Sequence, residues 1–183
     1  MRMPQAVKFD ELDPPTQLVF LTVACTDIDL AKEAAWYALS VKNLVEPKER
    51  QDQLARALAD AAVIRYCRPF MFNNISDTHK TRLPHRFCGS LTMNQQYLHD
   101  EFMRMRNSAA AHSDFSEREV LMFRILPPDK LNPILTAKVA YEHASADELE
   151  GMIAIANHLH RALDKERRAL AEVNPLDITF DTN

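Results

Sequence analysis

"TMNQQYLHDEFMRMRNSAAAHSD", residues 92–114, carries both a helix signature and the most chemically suggestive residues of the chain. Thr92 and Gln95 form an S/T-x-x-Q capping box, which predicts a helix starting near residue 93. Leu98, Phe102, Met105 and Ala109 then recur at i, i+4, i+7 and i+11, one apolar stripe along that helix. A second stripe runs beside it: His99, Met103, Arg106 and Ala110. Asn107 falls nearly opposite Met105 and is expected to face solvent or a partner. The small residues 108–111 permit close approach of another backbone, as a helix–helix seam or a substrate groove requires.

Upstream, "TDID" (Thr26 to Asp29) reads as a capping-box variant followed by Ala31, Ala34, Ala35, Ala38, Leu39 and Val41 at helical spacing. This predicts a first helix over 27–45, stopped by Glu46-Pro47. A second helix is predicted over 49–68, from Leu54, Leu58, Ala61 and Ala62. Residues 73–87 read as a long polar loop carrying Lys80, Arg82, His85 and Arg86; loops of that length are often functional. Beyond residue 116, the runs 120–126 and 134–141 flank a Pro-rich turn and predict a β-hairpin. A capping box at Ser145–Glu148 opens the longest helix, roughly 146–172. The expected fold is mostly α: a single-domain up-and-down bundle of about four helices, with the small hairpin inserted before the last. The expected division is a lead-in over 1–26, a helical domain over 27–173 with its hairpin at about 120–141, and a tail over 174–183.

The 183 residues suit one compact domain, and only Gly89 and Gly151 are glycine, which favours long helices over tight positive-φ turns. The net charge of −4 offers no global positive field, so any nucleic-acid binding has to be local. Three cysteines without CxxC spacing read as reduced thiols. With no apolar leader and no run long enough to span a bilayer, a cytoplasmic protein without membrane partners is expected. No metal-ligand or cofactor motif is present, and none is expected to be needed.

Arg106, Asn107 and His112 are the candidates for chemistry. Arginine presents a permanently charged planar fork to phosphate, and histidine titrates near pH ~6.5, where it can move protons. In an unbroken helix Arg106 and His112 lie about 120° apart, so a kink or helix end after the alanines would bring them together. The plainer alternative pairs Arg106 with Glu101 or Asp114 and leaves His112 at a helix C-terminus.

Two N-terminal helices, a basic loop, a third helix with Arg106-Asn107 and His112 five intervening residues beyond the arginine, and a closing helix together resemble the HEPN superfamily (higher eukaryotes and prokaryotes nucleotide-binding). That resemblance implies a metal-independent endoribonuclease acting as a homodimer through its third helix, with RNA as substrate. The implied catalytic residues are Arg106, Asn107 and His112, and the candidate substrate contacts are Lys80, Arg82, His85, Arg86 and His99. It also implies a toxin or antiviral defence setting, with an antitoxin or nucleotidyltransferase-like partner. The alternative is a non-catalytic HEPN-like module that binds a nucleotide or a protein.

Overall fold

The computed structural model describes residues 3–44, 47–110, 119–125, 134–140 and 143–173. Within them the protein is mostly α, with four helices: α1 (Pro14–Ser40), α2 (Lys48–Cys67), α3 (Met93–Ala110) and α4 (Ala146–Val173). A parallel–antiparallel sheet of three very short strands is formed by β1 (Gln5–Ala6), β2 (Asn73–Asn74) and β3 (His79–Thr81), in the order β1-β3-β2. The expected hairpin is present as β4 (Glu119–Ile125) and β5 (Ile134–Ala140), antiparallel, with Glu119 opposite Ala140 and Ile125 opposite Ile134.

Helix α1 starts well before the predicted position. Its N-cap is Asp13, whose Oδ1 accepts the Thr16 backbone N–H at 3.0 Å, with prolines in the first turn where no backbone donor is needed. Thr26 is not a cap: it sits mid-helix and its hydroxyl donates to the Thr22 carbonyl at 3.0 Å. The apolar run 18–25 is therefore the first half of α1, and the predicted lead-in over 1–26 is corrected. Residues 5–9 are also tied down. Phe9 is buried, its ring 5.9 Å from Phe20 and 6.4 Å from Phe87, and β1 pairs with β3. At the other end α1 stops at Ser40 and a 3-10 turn, Val41–Asn43, follows. The predicted tail, 174–183, lies outside the described residues.

Helix α1 is the centre of the bundle, packed against both α2 and α4. Its buried residues Phe20, Leu21, Ala24, Ile28, Ala31, Ala35 and Ala38 span a wide face because two helices cover it. Ala31, Ala35 and Ala38 share one apolar core with Ala59 and Ala62 of α2 and Ala156 of α4, and such short side chains allow close helix approach. The running direction follows from cross-helix pairs. Asp29 of α1 lies 3.5 Å from His160 of α4, while the C-terminal end of α1 (Ala38) and the N-terminal end of α4 (Leu149) border one cavity. So α1 and α4 are antiparallel, and the short connection from α1 to α2 makes that pair antiparallel too. Helix α3 packs on α2 and α4, and its Phe102, fully buried, meets the Tyr66 ring of α2 at 5.3 Å. A Cβ on Gly151 of α4 would meet the Leu98 Cδ1 of α3 at 2.5 Å, so a side chain there would displace the tip of Leu98.

The capping boxes form as read. Gln95 Oε1 accepts the Thr92 N–H at 3.0 Å and Thr92 Oγ1 accepts the Gln95 N–H at 3.3 Å. At α4, Glu148 Oε2 accepts the Ser145 N–H at 2.7 Å and Ser145 Oγ accepts the Glu148 N–H at 3.3 Å. The predicted long loop over 73–87 is corrected in part: it holds β2, β3 and a 3-10 turn, His85–Cys88. Its signal is short. Thr81 and Leu83 are buried while Arg82 is exposed, an alternation too brief to stand out in a polar segment.

The start of α1 can be tested by a pair of substitutions. Asp13→Ala removes the acceptor for both the backbone N–H and the hydroxyl of Thr16 and should lower the urea midpoint. Thr26→Ala, at an exposed mid-helix position, should be neutral or stabilising by up to about 0.7 kcal/mol, because alanine is the better helix former. The Thr16 hydrogen bonds hold the Asp13 carboxyl below its usual range. Its contribution is thus present above the ordinary carboxylate pKa and lost as pH falls through the lowered one. Equal midpoints for Asp13→Ala and wild type would place the helix start elsewhere.

Candidate functional site

Arg106 and Asn107 occupy the C-terminal part of α3. The Arg106 side chain is half-buried and Asn107 is exposed, with the Arg106 guanidinium donating to Asn107 Oδ1 at a long 3.4 Å. Glu101, the acid within reach along the helix, is gripped by Arg104, whose Nε donates to its two oxygens at 3.0 and 3.1 Å. Among the described residues no carboxylate pairs with Arg106. His112 and Asp114, the other half of the sequence constellation, lie outside the described residues.

His99 is corrected. The stripe shared with Met103 and Arg106 suggested a surface or interface position, but His99 is 8% exposed and belongs to the core. Its Nδ1 lies 2.9 Å from the Tyr66 hydroxyl, its Nε2 lies 3.9 Å from Cys88 Sγ, and its ring meets Phe70 edge-on at 4.7 Å. The physical reason is that α3 is covered by two helices, so its buried face is wider than one stripe and takes in the neighbouring position. A substrate contact through His99 is incompatible with this burial in the folded chain.

Burial also sets the chemistry of this cluster. It pushes the Tyr66 phenol up, so the O–H stays protonated and can donate to His99 Nδ1. It pushes the Cys88 thiol up to about 11 and the Cys67 thiol up to about 12, the latter slightly opposed by the nearby Arg106 charge. Cys67 donates its S–H to the Phe102 carbonyl at 3.3 Å. A Cys–His contact therefore exists between Cys88 and His99, but the thiol lacks the thiolate character a nucleophile needs. The sequence reading missed this contact, since eleven positions separate the two residues and nothing in the local pattern joins them.

The basic segment divides in two. Arg86 donates to both Asp10 oxygens at 2.7 Å and to Glu166 at 3.3 Å, and it lies over the Phe9 and Phe87 rings at 5.6 and 5.0 Å. It ties the N-terminal segment to the end of α4 and is not available to a ligand without breaking those bonds. His85, beside it, is exposed. Lys80 and Arg82 are different: they lie over the Phe72 ring at 5.4 and 4.8 Å, and neither has a carboxylate partner among the described residues. Phe72 is 48% exposed and was not singled out from the sequence, where a lone phenylalanine beside Asn73-Asn74 carries no signal.

A groove of about 410 Å³ opens between the first half of α1 and the turn after α2. Val19, Phe20 and Val23 give it an apolar wall, and Asp27, Arg68 and Asn73 line its polar side. Asp27 is buried and accepts from Arg65 at 3.0 Å and Arg68 at 3.3 Å.

His99 should make the protein acid-sensitive. Burial lowers its pKa, opposed by Asp100 and reinforced by His85. The folded state therefore resists the proton that the unfolded chain accepts, so stability is full above the unfolded value near pH ~6.5 and falls as pH drops below it. His99→Gln keeps a hydrogen-bonding group for Tyr66 without a titrating ring. Urea midpoints at pH 7.5 and 5.5 should differ less in that variant than in wild type; an unchanged difference would assign the acid sensitivity to other groups.

No family model, no curated protein and no solved structure matches this chain.

Proposed function

We propose that the protein is a metal-independent endoribonuclease of HEPN type, acting on RNA through Arg106, Asn107 and His112. The observation that carries this reading is the state of Arg106. Arg65, Arg68, Arg86, Arg104, Arg167 and Arg168 are each held by a carboxylate. Arg106 is half-buried, sits beside an exposed amide, and has no acid to neutralise it among the described residues. A positioned guanidinium without a carboxylate suits bidentate phosphate recognition.

The roles follow from the chemistry of RNA cleavage. His112 takes the proton from the 2′-OH, whose oxygen attacks the adjacent phosphorus. The P–O5′ bond breaks, the proton is delivered to the departing 5′ oxygen, and the products carry a 2′,3′-cyclic phosphate and a 5′-OH. Arg106 neutralises charge on the phosphoryl oxygens, and Asn107 orients the phosphate or His112. The active form is an isologous dimer that brings two copies of α3 together. With His99 buried, that seam draws on Met103, Arg106 and the small residues that follow. A toxin or antiviral defence role fits such an enzyme, with an antitoxin or nucleotidyltransferase-like protein as its restraint.

Purified protein with a chelator present should cleave RNA and leave cyclic phosphate ends. His112→Ala should slow the reaction by ~10² to 10⁴. Arg106→Ala should slow it by ~10² to 10³, and the double variant should be little worse than the poorer single. Light scattering should show a dimer at micromolar concentration. Cleavage that requires added metal, or that proceeds at full rate in His112→Ala, would refute the assignment. A tight dimer that cleaves no RNA would favour the binding module instead.

A further inference from the structure

The outer face of the small β1-β3-β2 sheet has a composition that the rest of the surface does not explain. Side chains alternate along strands, and the register sets which of them share a side. Asn74 pairs with Lys80 in the antiparallel β2–β3 ladder, and Ala6 pairs with Lys80 in the parallel β1–β3 ladder. Lys80 and Arg82 are two residues apart and project to one side, where both reach the Phe72 ring. Thr81, between them, projects to the other side, is fully buried, and donates its hydroxyl to the Val7 carbonyl at 2.9 Å. One side of the sheet is thus bound into the body. The other presents an aromatic ring, two cations and two small or amide side chains.

We propose that this face, built from Phe72, Lys80 and Arg82, is a stacking site for single-stranded nucleic acid, which under the ribonuclease reading is the RNA substrate. The proposal rests on that reading only for the choice of RNA. A base needs an accessible aromatic surface, and Phe72, the residue just before β2, is 48% exposed. The strand's phosphates need cations that are not already neutralised. Arg86, four residues beyond Arg82, shows the contrast: it also lies over aromatic rings, but Asp10 and Glu166 hold its charge. Lys80 and Arg82 keep theirs among the described residues. In a chain with net charge −4, a two-cation patch around an exposed ring is a local departure in sign. Base stacking is largely indifferent to sequence, so the site supplies affinity and leaves sequence preference to other contacts.

The site also has a physical foundation. Asn73, the neighbour of Phe72, donates through Nδ2 to the Arg68 carbonyl at 2.8 Å and to the Met71 carbonyl at 2.7 Å. That fixes the turn from α2 into β2, and with it the position from which the Phe72 ring projects.

The test is equilibrium binding by fluorescence anisotropy, using a labelled 12-nucleotide single-stranded RNA and the His112→Ala protein so that cleavage does not interfere. Phe72→Ala should weaken binding by about 5- to 150-fold, the loss of one stacked base, with little change in salt dependence. Phe72→Trp should bind at least as well as the parent. Lys80→Ala with Arg82→Ala should weaken binding and reduce the slope of log K against log salt by about 1.4, two single-strand phosphate contacts. Far-UV circular dichroism checks that each variant keeps its helices. Unchanged affinity in Phe72→Ala, tighter binding to a duplex, or equal competition by poly-glutamate would overturn the proposal, and tighter binding to single-stranded DNA of the same sequence would overturn the choice of RNA. These results stand apart from the cleavage assay: a protein that binds RNA through Phe72 but never cuts it refutes the ribonuclease reading alone.

Discussion

A carboxylate buried in the middle of the central helix has to be answered by cations, and that requirement organises much of this bundle. Asp27 is 3% exposed, and Arg65 and Arg68 of the segment ending α2 both reach its Oδ1. Burying such a charge alone costs several kcal/mol. Helices α1 and α2 are therefore held to a register that places two arginines beside one aspartate. The consequence extends along the chain. The Arg68 carbonyl accepts from Asn73, which starts β2; β2 pairs with β3, and β3 pairs with β1. The sheet that presents Phe72, Lys80 and Arg82 is thus anchored, through two residues, to a polar contact inside the bundle.

The same economy separates structural polar groups from available ones. His99 carries a functional-looking side chain, yet Tyr66 and Cys88 occupy its two ring nitrogens and burial favours its neutral form. Arg86 is consumed by Asp10 and Glu166, and Arg104 by Glu101. What remains without an acid among the described residues is, of these candidates, Arg106 on α3 and the Lys80–Arg82 pair at the sheet. The functional proposals rest on these leftover charges, because a cation already satisfied inside the protein has little attraction left for a phosphate.

This distribution also reconciles an acidic chain with a polyanionic ligand. The net charge of −4 gives no long-range attraction for RNA, so the proposed binding rests on short-range contacts at places where, among the described residues, positive charge is uncompensated. An exposed ring among such cations adds a contact that salt does not screen. No helix among the described residues is long and apolar enough to cross a membrane.

What the sequence determined by itself is local and periodic. The capping boxes at Thr92–Gln95 and Ser145–Glu148 fixed two helix starts, because a cap is a bond between residues three apart and needs no tertiary partner. The hairpin and the helical content were legible from the period of the apolar residues. The start of α1 was misread because two capping signals compete there. Asp13 with its prolines and Thr26 with Asp29 are both plausible locally, and the first wins because Phe20, Leu21 and Ala24 have a core to enter. Only the tertiary structure decided the fate of the polar side chains. His99 and Arg106 lie seven residues apart on one line of α3, equivalent in any helical pattern, yet one is buried against α2 and the other is half-buried with no carboxylate partner among the described residues. Arg82 and Arg86 look alike in sequence, and Asp10, 76 positions from Arg86, is what distinguishes them. A charge becomes available or spent through residues remote in the chain, and those meet only when the bundle closes.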